Sequence, residues 1–197
     1  MAQYAHGIAV SPSQPVVGLD FDGVLNITAR GDLPDGFALH LVELDRENWP
    51  HHPYIRPLPE GRGPFVHGVV VSRAHGRMVR DWIAAGARVV WATTWEELAN
   101  RVIAPALGLP PLPAIEFDMD RRLPTAKLPS VIAWVGDRPC AWVDDDLWHD
   151  ADTWAAGRAV PTLLVHVDMT EGLERRHVDR LLAFAAELEH AAEAGRG

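Results

Sequence analysis

The run VVGLDFDGVL, Val16 to Leu25, decides how the rest of the chain is read. Its first four residues are apolar, with Pro15 before them and Gly23 soon after, the pattern of a short strand buried on both faces. Strands of that kind belong to parallel sheets covered by helices, and such sheets hold their ligands beyond the carboxyl ends of the strands. Asp20 and Asp22 stand at that end, so two carboxylates fall where the architecture does its chemistry.

Working outward, four more short apolar runs recur: ARVVWA (87–92), AIEF (114–117), CAWV (140–143) and PTLLVHV (161–167). Segments of helical spacing separate them. Ser72 caps a helix over 73–85 that Gly86 stops, and TTWEELANRVIAPALG reads as a helix opened by a threonine and ended by Gly108 and LPPLP. A helix with Pro129 in its first turn, the segment DLWHDADTWAAGR, and a long C-terminal helix from LERRHVDR onward complete the alternation. It predicts an α/β, Rossmann-like three-layer sandwich with a central five-stranded parallel sheet, in one domain over 1–197. FALHLVEL (37–44) and PFVHGVVV (64–71) predict a projecting hairpin, a small flap within an insert at about 26–72, without a large cap domain.

Composition narrows the function classes. No stretch approaches the roughly 18 apolar residues that span a membrane. The N-terminus lacks a signal-like apolar core, and the lone cysteine, Cys140, has no partner for an internal disulfide, so a cytoplasmic, reducing compartment is expected. The formal net charge of −9 disfavours nonspecific attraction to nucleic acid or anionic membranes. Against that trend, Arg56, Arg62, Arg73, Arg77 and Arg80 cluster with His51, His52, His67 and His75, either a solvated basic face or an anion-facing one. Trp82, Trp91, Trp95, Trp134, Trp142, Trp148 and Trp154 lie in apolar segments and are expected in the core.

The polar residues that follow each strand form a small inventory. Asp20 and Asp22 follow the first, Thr93 and Thr94 the second, Asp144, Asp145 and Asp146 the fourth, and Lys127 heads a helix. Clustered acids repel unless a cation sits between them, and hard oxygen ligands select Mg²⁺, which shares itself with substrate phosphate. A hydroxyl and an ammonium suit phosphoryl oxygens. One aspartate is then a nucleophile and a second, two residues on, a general acid and base. Thr93 also reads as a helix cap, Lys127 as a surface lysine, and Asp146 as the cap of the following helix.

DFDGVL behind an apolar strand, the threonine after VVWA, the lysine heading a helix, and DDD after CAWV resemble, in order, the four motifs of the haloacid dehalogenase-like (HAD) superfamily. That resemblance implies Asp20 as nucleophile, Asp22 as general acid/base, Thr93 as phosphoryl ligand and Lys127 as neutralising cation. It also implies Mg²⁺ held by Asp20, Asp144, Asp145 and the backbone carbonyl of Asp22. The longer runs VVWATTWEELANRVIAPALGLP, KLPSV, AWVDDD and PTLLVHVD are similar to the HAD domain of bacterial RNA repair proteins. The implied activity is a Mg²⁺-dependent phosphatase working through an aspartyl-phosphate, on a phosphorylated small molecule, a nucleotide or a nucleic-acid end. The alternative is a phosphate-end binding module that keeps the fold without turnover. A two-component receiver domain combines similar residues, but in a different order along the chain.

Overall fold

Among residues 15–29, 31–44, 65–118 and 123–195, which the computed structural model describes, the chain forms six strands and six helices. The strands are β1 (Val16–Leu19), β2 (Phe37–Leu44), β3 (Phe65–Ser72), β4 (Arg88–Trp91), β5 (Cys140–Asp144) and β6 (Thr162–His166). The helices are α1 (Arg73–Ala84), α2 (Leu98–Val102), α3 (Ala104–Leu107), α4 (Leu128–Val135), α5 (His149–Ala156) and α6 (Arg175–Ala194).

Four strands make one parallel sheet in the order β4-β1-β5-β6. Because successive side chains of a strand point to opposite faces, each strand feeds two cores. Val17, Leu19, Val89, Trp91 and Val143 pack against Val79 and Trp82 of α1 and Val178 and Leu181 of α6. Val16, Val90, Cys140 and Trp142 face the other way, onto Leu128, Val131 and Val135 of α4 and Ala151 of α5. Each fully buried large apolar side chain contributes about 1.5–3 kcal/mol. The sheet is thus covered on both faces, as the continuous apolar strands require.

The expected fifth strand is reduced to one bridge. Ala114 pairs in parallel with Trp91, through Trp91 N donating to Pro113 O (2.8 Å) and Ile115 N donating to Trp91 O (2.9 Å), and no ladder follows. Pro110, Pro111 and Pro113 offer no N–H. Nearby amides bond to side chains instead: Leu112 N to Asn100 Oδ1, Phe117 N to Glu96 Oε1 and Asp118 N to Ser130 Oγ. The helix expected over 93–108 is also corrected. Glu96 has φ of 47°, in the left-handed region, so no helix passes through it. Helix begins only at Leu98, and Pro105, in the first turn of α3, breaks the remainder into α2 and α3.

β2 and β3 pair antiparallel in register from Phe37 with Ser72 to Leu44 with Phe65. Val42, Leu44, Val69 and Val71 of this ribbon enter the core, while Leu39, Leu41 and Val66 are exposed on its other face. Residues 45–64, with His51, His52, Arg56 and Arg62, lie outside the described residues. β3 runs into α1 without a loop, and Ser72 Oγ accepts from Ala74 N (3.2 Å) as the expected cap. Of the tryptophans expected in the core, Trp82, Trp91, Trp95 and Trp142 are buried and Trp134 and Trp154 half-buried. Trp148 is the exception at 54% exposure, because its indole N–H donates to Asp146 Oδ1 (2.6 Å) on the surface. No helix among the described residues is long and apolar enough to cross a membrane.

α1 and α3 meet at Gly76. A Cβ there would lie 1.9 Å from the carbonyl oxygen of Leu107, and Arg80 donates to the carbonyl of Gly108 (2.7 Å) one turn along. Arg80 is therefore engaged by backbone rather than left for an anion. Gly76→Ala is expected to lower stability by about 3 kcal/mol, read from urea unfolding, because the clash is with backbone that cannot rotate away. A loss under about 0.5 kcal/mol, the range of ordinary surface substitutions, would show that the two helices do not approach this closely.

Candidate active site

β1 lies between β4 and β5, with Leu19 aligned to both Trp91 and Val143. Asp20 therefore emerges at the middle of the sheet's carboxyl edge, its amide donating to Val143 O (3.0 Å). Asp144, the last residue of β5, emerges beside it. Both are nearly or wholly buried, at 4% and 0% exposure. Two buried carboxylates side by side need a counter-charge, and Lys127 supplies it. Its Nζ lies 2.8 Å from Asp20 Oδ2 and 2.5 Å from Asp144 Oδ2.

Lys127 reaches this position from the turn that opens α4. Thr125, two residues earlier and fully buried, donates its hydroxyl to Asp150 Oδ1 (2.6 Å) and its amide to Asp150 Oδ2 (3.1 Å). The same hydroxyl accepts from Trp148 N (3.0 Å), so α5 fixes the turn that carries the lysine. Asp144 is fixed in turn by Trp142 Nε1, which donates to Oδ2 (3.1 Å), and by Asp146 N, which donates to Oδ1 (2.9 Å). Asp146 thus serves the loop; the side chain does not cap α5, whose N-cap is Trp148.

Carboxylate oxygens of Asp20, Asp144 and Asp145 all lie within 4.8 Å of one another. Three acids and one ammonium leave a formal charge of −2 in a desolvated pocket. Burial, with Asp144 beside it, pushes the Asp20 carboxyl well above its usual range despite the pull of Lys127. Burial and Asp144 likewise push Asp145 up to about 6. Lys127 is shifted upward, because Asp144 and Asp20 together outweigh the burial that opposes its charge. Three hard oxygen donors with excess negative charge fit Mg²⁺ better than a soft metal. Asp145 reaches the group only because residue 23 is glycine: a Cβ there would lie 2.1 Å from Asp145 Cγ, and Gly23 has φ of 75°.

The remaining expected residues fall around this group. Thr93 is fully buried two residues beyond β4, its Oγ1 facing Trp95 N at 3.4 Å and its carbonyl accepting from Glu96 N (2.9 Å). It therefore organises the turn after β4; it does not cap a helix. Asp22 is exposed, and its side chain is not part of the acidic triad. Instead Asn26 Nδ2 donates to its Oδ1 (2.7 Å) and Trp95 Nε1 to its Oδ2 (2.8 Å). Neither partner was foreseen: Trp95 reads as core in sequence, and only the i, i+4 spacing of Asp22 and Asn26 hints at their contact. Of the histidines in the basic cluster, His67 packs its ring on Trp95 (5.6 Å between centroids), and His51 and His52 lie outside the described residues.

In the metal-free folded chain Asp145 keeps its proton until about pH 6, whereas an unfolded aspartate releases it near pH 4. Over that window the unfolded state binds fewer protons, so this cluster's contribution to stability falls as pH rises. A Mg²⁺ ion bound by the triad would reverse the penalty by taking the ionised carboxylates. Thermal unfolding with and without Mg²⁺ should show a large stabilisation at pH 7.5 and little at pH 5, both effects shrinking in Asp145→Asn. Equal stabilisation at the two pH values would remove the acidic triad as the binding site. The chain matches no protein-family model, no curated protein and no solved structure, so its function has to be read from the chemistry of these side chains.

Proposed function

We propose that this protein is a Mg²⁺-dependent phosphohydrolase of the HAD type, cleaving phosphate monoesters through an aspartyl-phosphate. One observation carries the reading: Asp20, at the end of the central strand, is ion-paired with Lys127 and grouped with Asp144 and Asp145, with Asp22 two residues away. The β2–β3 ribbon takes the part of the small flap, and the bridge at Ala114 stands where the fifth strand would run. The substrate is a phosphorylated small molecule, a nucleotide or a nucleic-acid end.

In this reading an Asp20 carboxylate oxygen attacks phosphorus, and the ester P–O bond breaks as the acyl phosphate forms. Asp22 gives its proton to the departing alkoxide oxygen. A water molecule then attacks the phosphorus of the aspartyl-phosphate, Asp22 takes that water's proton, and the Asp20 carboxylate is regenerated with release of inorganic phosphate. Lys127 and the Thr93 hydroxyl neutralise and orient the phosphoryl oxygens. Mg²⁺, held by Asp20, Asp144 and Asp145, supplies charge neutralisation for the nucleophile and the phosphoryl group. Its charge also favours the ionised form of Asp20, which burial otherwise disfavours.

The test is phosphate release from p-nitrophenyl phosphate, sugar phosphates, nucleotides, and 3′- or 5′-phosphorylated RNA and DNA ends, comparing wild type with Asp20→Asn. Release that requires both Mg²⁺ and Asp20 is expected. A folded, Mg²⁺-binding protein that releases phosphate from none of them would overturn the enzyme reading in favour of a phosphate-end binding module.

A further inference from the structure

We infer that Asn26 and Trp95 are paired positioning residues that hold Asp22 by both carboxylate oxygens and tie its orientation to strand β3. The inference rests on the phosphatase reading of Asp22 as proton donor. Asp22 is itself exposed, and an exposed aspartate ordinarily samples several rotamers. Here each oxygen receives a separate N–H, at 2.7 Å from Asn26 Nδ2 and 2.8 Å from Trp95 Nε1. Two donors converging from different elements fix the carboxylate plane as one donor does not.

Both donors are themselves anchored on the ribbon. Asn26 Oδ1 accepts from Val70 N (2.7 Å), and Ile27 N donates to Val70 O (3.1 Å), joining the loop after β1 to β3. Trp95, 2% exposed, stands edge-on to Phe21 with centroids 5.5 Å apart and packs on His67 of β3. The ribbon thus touches Asp22 through two routes, one a hydrogen bond and one a ring contact. The plainer account is that Asp22 merely satisfies the N–H of a core tryptophan. The two accounts differ in which substrates suffer when the N–H is removed.

Proton donation matters for a poor leaving group and little for a good one. Nucleoside 5′-monophosphates expel an alkoxide that must be protonated, whereas p-nitrophenyl phosphate expels a stabilised phenolate. The ratio kcat/KM reports steps up to ester cleavage and excludes later hydrolysis of the acyl phosphate. Trp95→Phe keeps an aromatic ring facing Phe21 and His67 and removes the indole N–H together with part of the buried ring bulk. It should lower kcat/KM on a nucleoside monophosphate about 10–100-fold, with a loss on p-nitrophenyl phosphate at least about tenfold smaller. Asp22→Asn, measured beside it, gives the signature of losing the acid itself. Should Trp95→Phe fail to fold, Asn26→Asp keeps the acceptor for Val70 N and replaces the other donor with a carboxylate that repels Asp22, and the same split is expected. Equal losses on both substrates, or none, in a folded variant would overturn the inference while leaving the phosphatase reading intact. Wild type that releases phosphate from neither of these nor from any other member of the substrate panel above would overturn both.

Discussion

The Lys127 ammonium between Asp20 and Asp144 is the contact on which the carboxyl edge of the sheet depends. β1 and β5 are neighbours, so the chain direction that pairs them also sets their terminal acids side by side, both buried. Neither acid is tolerable there alone. Removing one partner from such a buried group typically costs about 3–5 kcal/mol, because the charge left behind has lost its hydration and gained nothing. The lysine is therefore structural before it is anything else. Since one ammonium does not balance three acids, the same arrangement that stabilises the fold leaves the pocket short of positive charge.

The supporting contacts divide by layer. The acids come from strand ends, whose positions are set by sheet register, while the lysine comes from a turn held to α5 by Thr125 and Asp150. Asp145 depends on an absence, the missing side chain at Gly23. Asp22 depends on neither layer, but on the loop after β1, the turn after β4 and the ribbon. Asp20 and Asp22, two residues apart in sequence, thus belong to different mechanical neighbourhoods.

Much of this was legible in the sequence because it is periodic or local. The apolar runs at 16–19, 88–91, 140–143 and 162–166 are strands, and the acids directly after the first and third needed no tertiary knowledge to be placed. AIEF failed because strand propensity cannot anticipate that Asn100, Glu96 and Ser130 capture the amides around it. The helix over 93–108 failed because the left-handed Glu96 is a tertiary requirement, its carboxylate bonding Phe117 N across 21 residues. Trp95 and Trp148 look alike in sequence, each an aromatic beside acids. One is buried against Asp22 and the other exposed beside Asp146, a difference that only the packing of neighbouring elements decides.

The direct passage of β3 into α1 has a mechanical meaning. A segment joined to a domain by loops at both ends swings freely, as a gate on pins. One strand of this ribbon is instead built into its wall, as a cantilever is, with Ser72 at the root and Gly76 clamping the helix beyond it. Such an arm bends most at its tip and least at its base. His67 and Val70, the residues through which it meets Trp95 and Asn26, lie within five residues of the root, on the stiff part of the beam.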